Sequence, residues 1–386
     1  MFLKTRNWRR LALVAASGVC CVTLIAGCKN NQSAGNSSSI LIGEYASMTG
    51  ATATFGKSSD NGVQLATKEI NASGGVLGKQ IKLELQDDAG QPAQATTAVQ
   101  KLLADNVVAV LGEFASSNSL AGAPLCQSHK IPMVTPGSTN PAVTQVGDYI
   151  FRTCFIDPFQ GTVCAKFASG TLHAKTAAVF TDIKSDYSVG LAKYFMQEFS
   201  KTGKIVDQES YSAGDSDFRA QLTRIKAANP DIIFIPGYYT EVGNIAVQAR
   251  SLGMKQPFLG GDGWDSPKLA EIGKDAIQGS YFSTHFSTQS KDPLVVNFVA
   301  TYKKQFGEDP DGIAAVNYDG ARILYDAIKR AGSTDPAKIR AALAATKDFP
   351  GVTGKITLDK DRNAIKPAVI LQVEGKNYKY VTTVNP

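Results

Sequence analysis

Histidine is scarce: the 386 residues hold only three, His129, His173 and His285, and none accompanies a cysteine or carboxylate cluster. A metal site therefore has little support, and no nucleophile and base pair can be assembled. The glycine and serine signatures of nucleotide binding and acyl transfer are missing too. No GxGxxG follows the first apolar run, and no GxSxG elbow or SxxK pair occurs. The stretch from Gly50 to Gly56-Lys57-Ser58 approaches a phosphate loop but spaces its glycines by five residues where the motif needs four. Asp87-Asp88 could be paired acids, or a solvated loop or hinge contact. With 43% apolar and 19% charged residues the chain is neither disordered nor fibrous, and its length suggests about two domains.

Acidic residues are absent before Glu44, whereas Lys4, Arg6, Arg9 and Arg10 lie in the first ten positions. An apolar run of 17 residues, 11–27, follows, which suits a signal-peptide core better than a membrane span. Residues 1–27 read as an export signal. Leu24-Ile25-Ala26-Gly27-Cys28 resembles the bacterial lipoprotein box, which implies lipidation of Cys28 and an anchor in the periplasm or at the cell surface. Residues 28–39 then form a lipidated, flexible tether. Without the signal, 36 basic residues face 34 acidic ones, and no basic-aromatic array argues for nucleic acid. Of six cysteines, Cys126, Cys154 and Cys164 remain in the body. Cys154 and Cys164 either bridge or stay buried as small thiols.

From residue 40 the chain alternates short β-branched runs with helical stretches. Strands read at 40–46, 81–87, 107–112 and 131–135, with helices at 62–71, 92–105 and 120–129. After a pause at 149–161 the pattern restarts, with strands at 177–182, 204–210, 231–237 and 257–262. Helices lie between them near 188–202, 217–228 and 241–252. Further helices read at 293–306, 313–330 and 336–345, and 368–381 reads as a hairpin turning at Gly375-Lys376-Asn377. Such alternation predicts an α/β protein with two doubly wound parallel sheets.

Parallel sheets of this kind bind ligands beyond the carboxyl ends of their strands. In the first unit those ends carry Glu113 to Ser119 and Pro136 to Pro141, rich in hydroxyls at helix starts. They suit a carboxylate, although plain N-capping is the alternative. In the second unit they carry Asp182, Tyr187, Gly237-Tyr238-Tyr239 and Gly260-Gly261-Asp262-Gly263-Trp264. An acid beside aromatics suits an ammonium group, although Asp262 could simply cap a turn. Together the two ends fit a zwitterion held between lobes.

The stretches INASGGVLGKQIKLELQDDAGQPAQA, VVAVLGEFASSNSLAGAPL, IPMVTPGSTNP, GYYTEVGNIAVQARSLGM and FLGGDGWDSP resemble, in order and spacing, the branched-chain amino-acid-binding proteins of ABC transporters, the type I solute-binding family. The resemblance implies two lobes joined by three crossovers. Lobe 1 would comprise 40–157 and 286–365, and lobe 2 would comprise 158–285 and 366–386. It implies that Ser116, Ser138 and Thr139 hold the ligand's carboxylate and part of its ammonium, and that Tyr238 and Asp262 complete the polar contacts. Tyr187 and Phe55 would line the apolar end, and Asp157 would lie at the cleft floor. Delivery of an aliphatic amino acid to permease subunits by a monomer without cofactor follows, with no chemical turnover. Asp262 stands where leucine-type relatives carry glutamate, and Gly90 and Ala115 stand where they bridge two cysteines. The shorter acid, with Trp264 beside it, leaves leucine open among aliphatic amino acids. A sensory receptor for an amide or aromatic acid is the alternative, and an enzyme on this scaffold a third.

Overall fold

The computed structural model describes residues 39–386, so the expected signal, Cys28 and most of the tether lie outside the described residues. The first lobe opens with β1 (Ser39–Ala46), α1 (Ala53–Ala72), β2 (Gln80–Asp87), α2 (Pro92–Ala104) and β3 (Val110–Leu111). It continues with α3 (Ser116–His129), β4 (Met133–Thr135), α4 (Ala142–Gln145) and β5 (Ile150–Arg152). The five strands pair in parallel in the order β2-β1-β3-β4-β5. Strand β3 is shorter than its apolar run, but Val108 N still donates to Leu41 O at 3.0 Å and Gly43 N to Ala109 O at 3.0 Å.

The chain crosses to the second lobe through α5 (Asp157–Lys166), which continues as a π-helical turn, Phe167–Thr171. There β6 (Thr176–Asp182), α6 (Asp186–Phe199), β7 (Lys204–Tyr211), α7 (Arg219–Ala228), β8 (Ile232–Phe234) and α8 (Tyr239–Ser251) follow. They lead to β9 (Phe258–Gly260), a 3-10 turn at Asp262–Trp264, α9 (Pro267–Gly273) and β10 (Tyr281–Thr284). A second crossing returns the chain to the first lobe as α10 (Pro293–Phe306), α11 (Gly312–Ala331), α12 (Pro336–Ala344) and a small sheet of β11 (Phe349–Gly351), β12 (Gly354–Leu358) and β13 (Ala364–Ile365). A third crossing delivers β14 (Ala368–Glu374) and β15 (Asn377–Val384) to the second lobe. Its sheet runs β15-β14-β10-β9-β8-β6-β7 and is mixed rather than parallel throughout, because the terminal hairpin adds to β10 antiparallel.

Each sheet is covered on both faces. In the first lobe, Ile42, Leu111 and Phe151 pack with Phe298 and Tyr325 on one side, while Tyr45, Val110 and Met133 pack with Val99 and Cys126 on the other. In the second, Ile233 and Phe282 pack with Leu222 and Ile245, and Phe234 and Leu259 with Leu191 and Phe195. Burying each such side chain contributes about 1.5–3 kcal/mol. Helix α1 starts at Ala53 rather than Gly62, so Gly56-Lys57-Ser58 are helical and offer no phosphate-cradling loop. Gly62 lets α1 cross α11 closely: a Cβ there would lie 2.3 Å from Ala314 O.

Candidate functional site

The first wall is built where β3 and β4 end. Ala115, at the N-cap of α3, has no side-chain acceptor, so the first-turn N–H groups keep their unsatisfied, positive character. Ser116 begins the helix, buried, with its Oγ accepting from Asn140 N at 3.2 Å. Of the two hydroxyls expected beside it, Ser138 is engaged inside the lobe, donating to Glu113 O at 2.8 Å. Thr139 is buried and its Oγ1 closes no hydrogen bond. The loop carrying them is fixed by the buried Arg152, whose guanidinium donates to Ser138 O, to Asn140 O at 2.7 Å and to Asn363 Oδ1 at 2.9 Å.

Two acids stand at the floor. Asp157 opens α5 and donates its N–H to Thr139 O at 2.9 Å, so Thr139 and Asn140 link it to Ser116. Its side chain is completely buried and neither carboxylate oxygen accepts a hydrogen bond. Burial above all, with the charge of Asp262, pushes Asp157 up to about 8, while the Thr139 hydroxyl, near enough to act on the carboxylate though short of a closed hydrogen bond, and the charge of Arg152 pull the other way. Asp262 is saturated from its own side: Oδ1 accepts from Gln160 Nε2 at 2.8 Å and Oδ2 contacts His285 Nε2 at 3.0 Å. Burial holds His285 below the usual histidine range, so it serves Asp262 as a neutral donor, its ring 3.9 Å from that of Phe155. No carboxylate neighbours His285 in the sequence; the fold supplies Asp262 from 23 residues away. Gln160 was also missed, although its spacing of three from Asp157 on α5 places both on one face.

The remaining expected residues gather as rings. Phe55 packs against Phe114 and Tyr239, both at 4.8 Å between centroids, and against Tyr238 at 5.7 Å. Tyr238 stacks on Tyr187 at 5.3 Å, and the Tyr187 hydroxyl accepts from Gly263 N at 3.1 Å. Beside this cluster lies an acid pair absent from the sequence expectations as a unit. Ser47 Oγ is 2.9 Å from Asp88 Oδ1 and 2.8 Å from Glu113 Oε1. The single hydroxyl proton can serve only one of them at a time, and burial raises both above the usual carboxylate range. Trp264 is not a cleft residue: its indole is in the core of the second lobe, donating to Ile235 O at 2.9 Å. Cys126, Cys154 and Cys164 are free and buried, which answers the open question of a 154–164 bridge, and burial pushes each thiol up to about 12.

The lobes touch across the cleft. Ser117 Oγ donates to Asp186 Oδ2 at 2.8 Å and accepts from Asp186 N at 3.0 Å, while Asn140 Nδ2 donates to Asp186 O at 2.7 Å. On the other rim, Thr54 Oγ1 meets Ser266 Oγ at 2.9 Å and Thr240 Oγ1 donates to Ala51 O at 2.9 Å. The enclosed surfaces thus present an uncapped helix start, a free hydroxyl, a free carboxylate and a ring cluster.

Residues 39–378 match the family described as periplasmic binding protein. The chain is 31% identical over 370 residues to Leu/Ile/Val-binding protein homolog 2 of Brucella abortus (strain 2308), covering 94% of this chain and 97% of that one. Among solved structures, the leucine binding protein LivK of Thermotoga maritima superposes with a TM-score of 0.87 at 40% identity, covering 90% of this chain and 99% of the other. The substrate binding protein LivJ of Streptococcus pneumoniae, in complex with isoleucine, gives 0.86 at 34% identity and covers 90% and 100%.

Proposed function

Since the chain belongs to the periplasmic binding protein family, whose members bind solutes for transporters and are not enzymes, we propose that it captures a free amino acid with an aliphatic side chain and hands it to an ABC importer. The ligand's carboxylate lies on the α3 N-terminus with Ser116, where N–H groups and the helix dipole favour negative charge. Its ammonium lies between Thr139 Oγ1 and the Asp157 carboxylate, with Asp262 adding negative potential from behind. Phe55, Tyr187 and Tyr238 enclose the side chain. Ser138 shapes the cradle by tying its hydroxyl to Glu113 O rather than by touching the ligand.

The observation that carries this reading is the buried Asp157 carboxylate with neither oxygen satisfied, beside the equally unsatisfied Thr139 hydroxyl. Leaving such groups unpaired is costly, and a ligand ammonium removes that cost. A micromolar Kd corresponds to about 8 kcal/mol. A buried aliphatic side chain supplies about 1.5–3 kcal/mol of it, so the zwitterionic head carries most of the rest. One methylene is worth about 1–3 kcal/mol, so selectivity among leucine, isoleucine and valine is modest.

Capture proceeds by closure of the lobes, divided after 157, 285 and 365, with the Asp186 contacts forming last. The protein works as a monomer, tethered through lipidated Cys28, with permease subunits as its partner. The test is native mass spectrometry of the purified protein for a retained amino acid, then calorimetry with leucine, isoleucine and valine. Retention or micromolar binding of one of them supports the proposal. Failure of all three to bind at millimolar concentration overturns it.

A further inference from the structure

A cavity of about 630 Å³ lies where the start of α1, the start of α11, the second crossing and the β14–β15 turn meet. None of the residues assigned above to the amino acid lines it. Its polar wall is acidic: five carboxylates face three lysines, and two of the lysines, Lys57 and Lys268, already pair with Glu308 and Glu271. Phe286, Leu371 and Tyr378 form an apolar wall.

Two of the acids come from different lobes. Asp265 follows the turn after β9 and is 2% exposed. Its Oδ2 accepts from Thr284 Oγ1 and from Gly312 N at 3.0 Å, whereas its Oδ1 accepts nothing. Asp311 caps α11, accepting from Ala314 N at 2.8 Å and from Ser58 Oγ at 2.6 Å. The Asp265 oxygen without a protein donor belongs to an otherwise buried side chain, lines the cavity and lies close to a second acid, so a cation entering the cavity is its best available partner. Among the described residues no three His, Cys, Asp or Glu side chains are placed to hold a metal ion. A partly apolar cavity of this size suits an organic guest.

The geometry points to this cavity as a second binding site, one for a small primary alkylammonium compound, its head beside Asp265 and Asp311 and its chain against Phe286, Leu371 and Tyr378. Titration supports it. Burial and then Asp311 push Asp265 up to about 8, and burial with Glu308 pushes Asp311 up to about 6. Asp262 lies behind Asp265, Tyr302 and Tyr378 face the pair, and Lys57, Lys268 and Lys376 line the same cavity. An alkylammonium stays charged up to about pH 10, so its binding displaces protons from these acids and strengthens as pH rises.

The experiment is calorimetric titration of n-butylammonium chloride into the full chain at about pH 8.5 and about pH 5.5, with n-butanol as the uncharged control. The expected result is millimolar binding that weakens about tenfold at the lower pH and at least tenfold in Asp265→Asn, with n-butanol silent and Asp157→Asn unchanged. Asp311→Asn, which keeps an acceptor for the α11 cap, carries the same expectation should Asp265→Asn fail to fold. Absence of binding up to about 10 mM amine overturns the site. So does equal binding by n-butanol, insensitivity to both variants, or loss in Asp157→Asn, which would locate the amine in the amino-acid cleft.

Discussion

Asp262 has both carboxylate oxygens engaged by Gln160 and His285, whereas Asp157 has neither engaged. The two acids therefore answer differently to substitution. Asp157→Asn keeps the shape and removes the charge facing the ammonium, which should weaken amino-acid binding about 10- to 100-fold with little loss of melting temperature. Asp262→Ala strips partners from two buried groups, so it should lower both affinity and thermal stability, the latter by about 1–3 kcal/mol. Calorimetry and thermal melts of the two variants separate these outcomes. Unchanged affinity in Asp157→Asn removes it from the ammonium site. Sequence alone favoured Asp262 because its Gly-rich strand end is conspicuous. The identity of its partners was hidden because Gln160 and His285 reach it from other elements.

Helices were the most legible elements. Helix α10 spans Pro293–Phe306 as expected, because Asp292 caps it, Pro fixes its first turn and Gly307 takes the left-handed conformation that ends it. Short strands were less so: β10 and the β11–β13 sheet have too few residues to show a period, and their pairing is decided by distant chain. Element packing explains one glycine that no local signal marks. Gly62→Ala would drive a methyl group onto Ala314 O across the α1–α11 crossing. It should cost about 1–3 kcal/mol, read as a fall in melting temperature of roughly 2–4 °C per kcal/mol. A Gly62→Ala protein that melts with the parent would mean the helices separate freely. At the cleft rim, Asp186→Ala removes one side-chain contact to Ser117 and should weaken ligand binding about three- to tenfold, mainly through faster dissociation measured by stopped flow.

Across the whole molecule, buried acids outweigh the exposed, well-solvated ones in setting the response to pH. Asp157 and Asp265 are pushed up to about 8 and Asp311 to about 6, and burial raises Glu44 and Glu113 as well. In the unfolded chain these groups titrate near about pH 4. The folded state thus holds protons that the unfolded state has lost, and the linked stability, complete below about pH 4, drains away as pH rises towards about 8. Surface acids held low, such as Asp87 and Asp148, act below that window, and Lys366, pushed down to about 8, acts above it. Buried His285, held below the usual histidine range, opposes this only up to about pH 6.5, so melting temperature without added amino acid should fall between about pH 6.5 and about pH 8, and Asp157→Asn should flatten the slope. A melting temperature that climbs over this range contradicts the assignment.

The three unbridged cysteines extend this to dynamics. With each of these sulfurs buried and its acidity suppressed, iodoacetamide meets no reactive thiolate at Cys126, Cys154 or Cys164 in the native protein, and their alkylation awaits exposure of the surrounding core. Cys126 belongs to the interior of the first lobe and Cys164 to that of the second. A mass-spectrometric time course of their modification is thus a built-in pair of clocks, running in step if the halves unravel together and apart if one yields first.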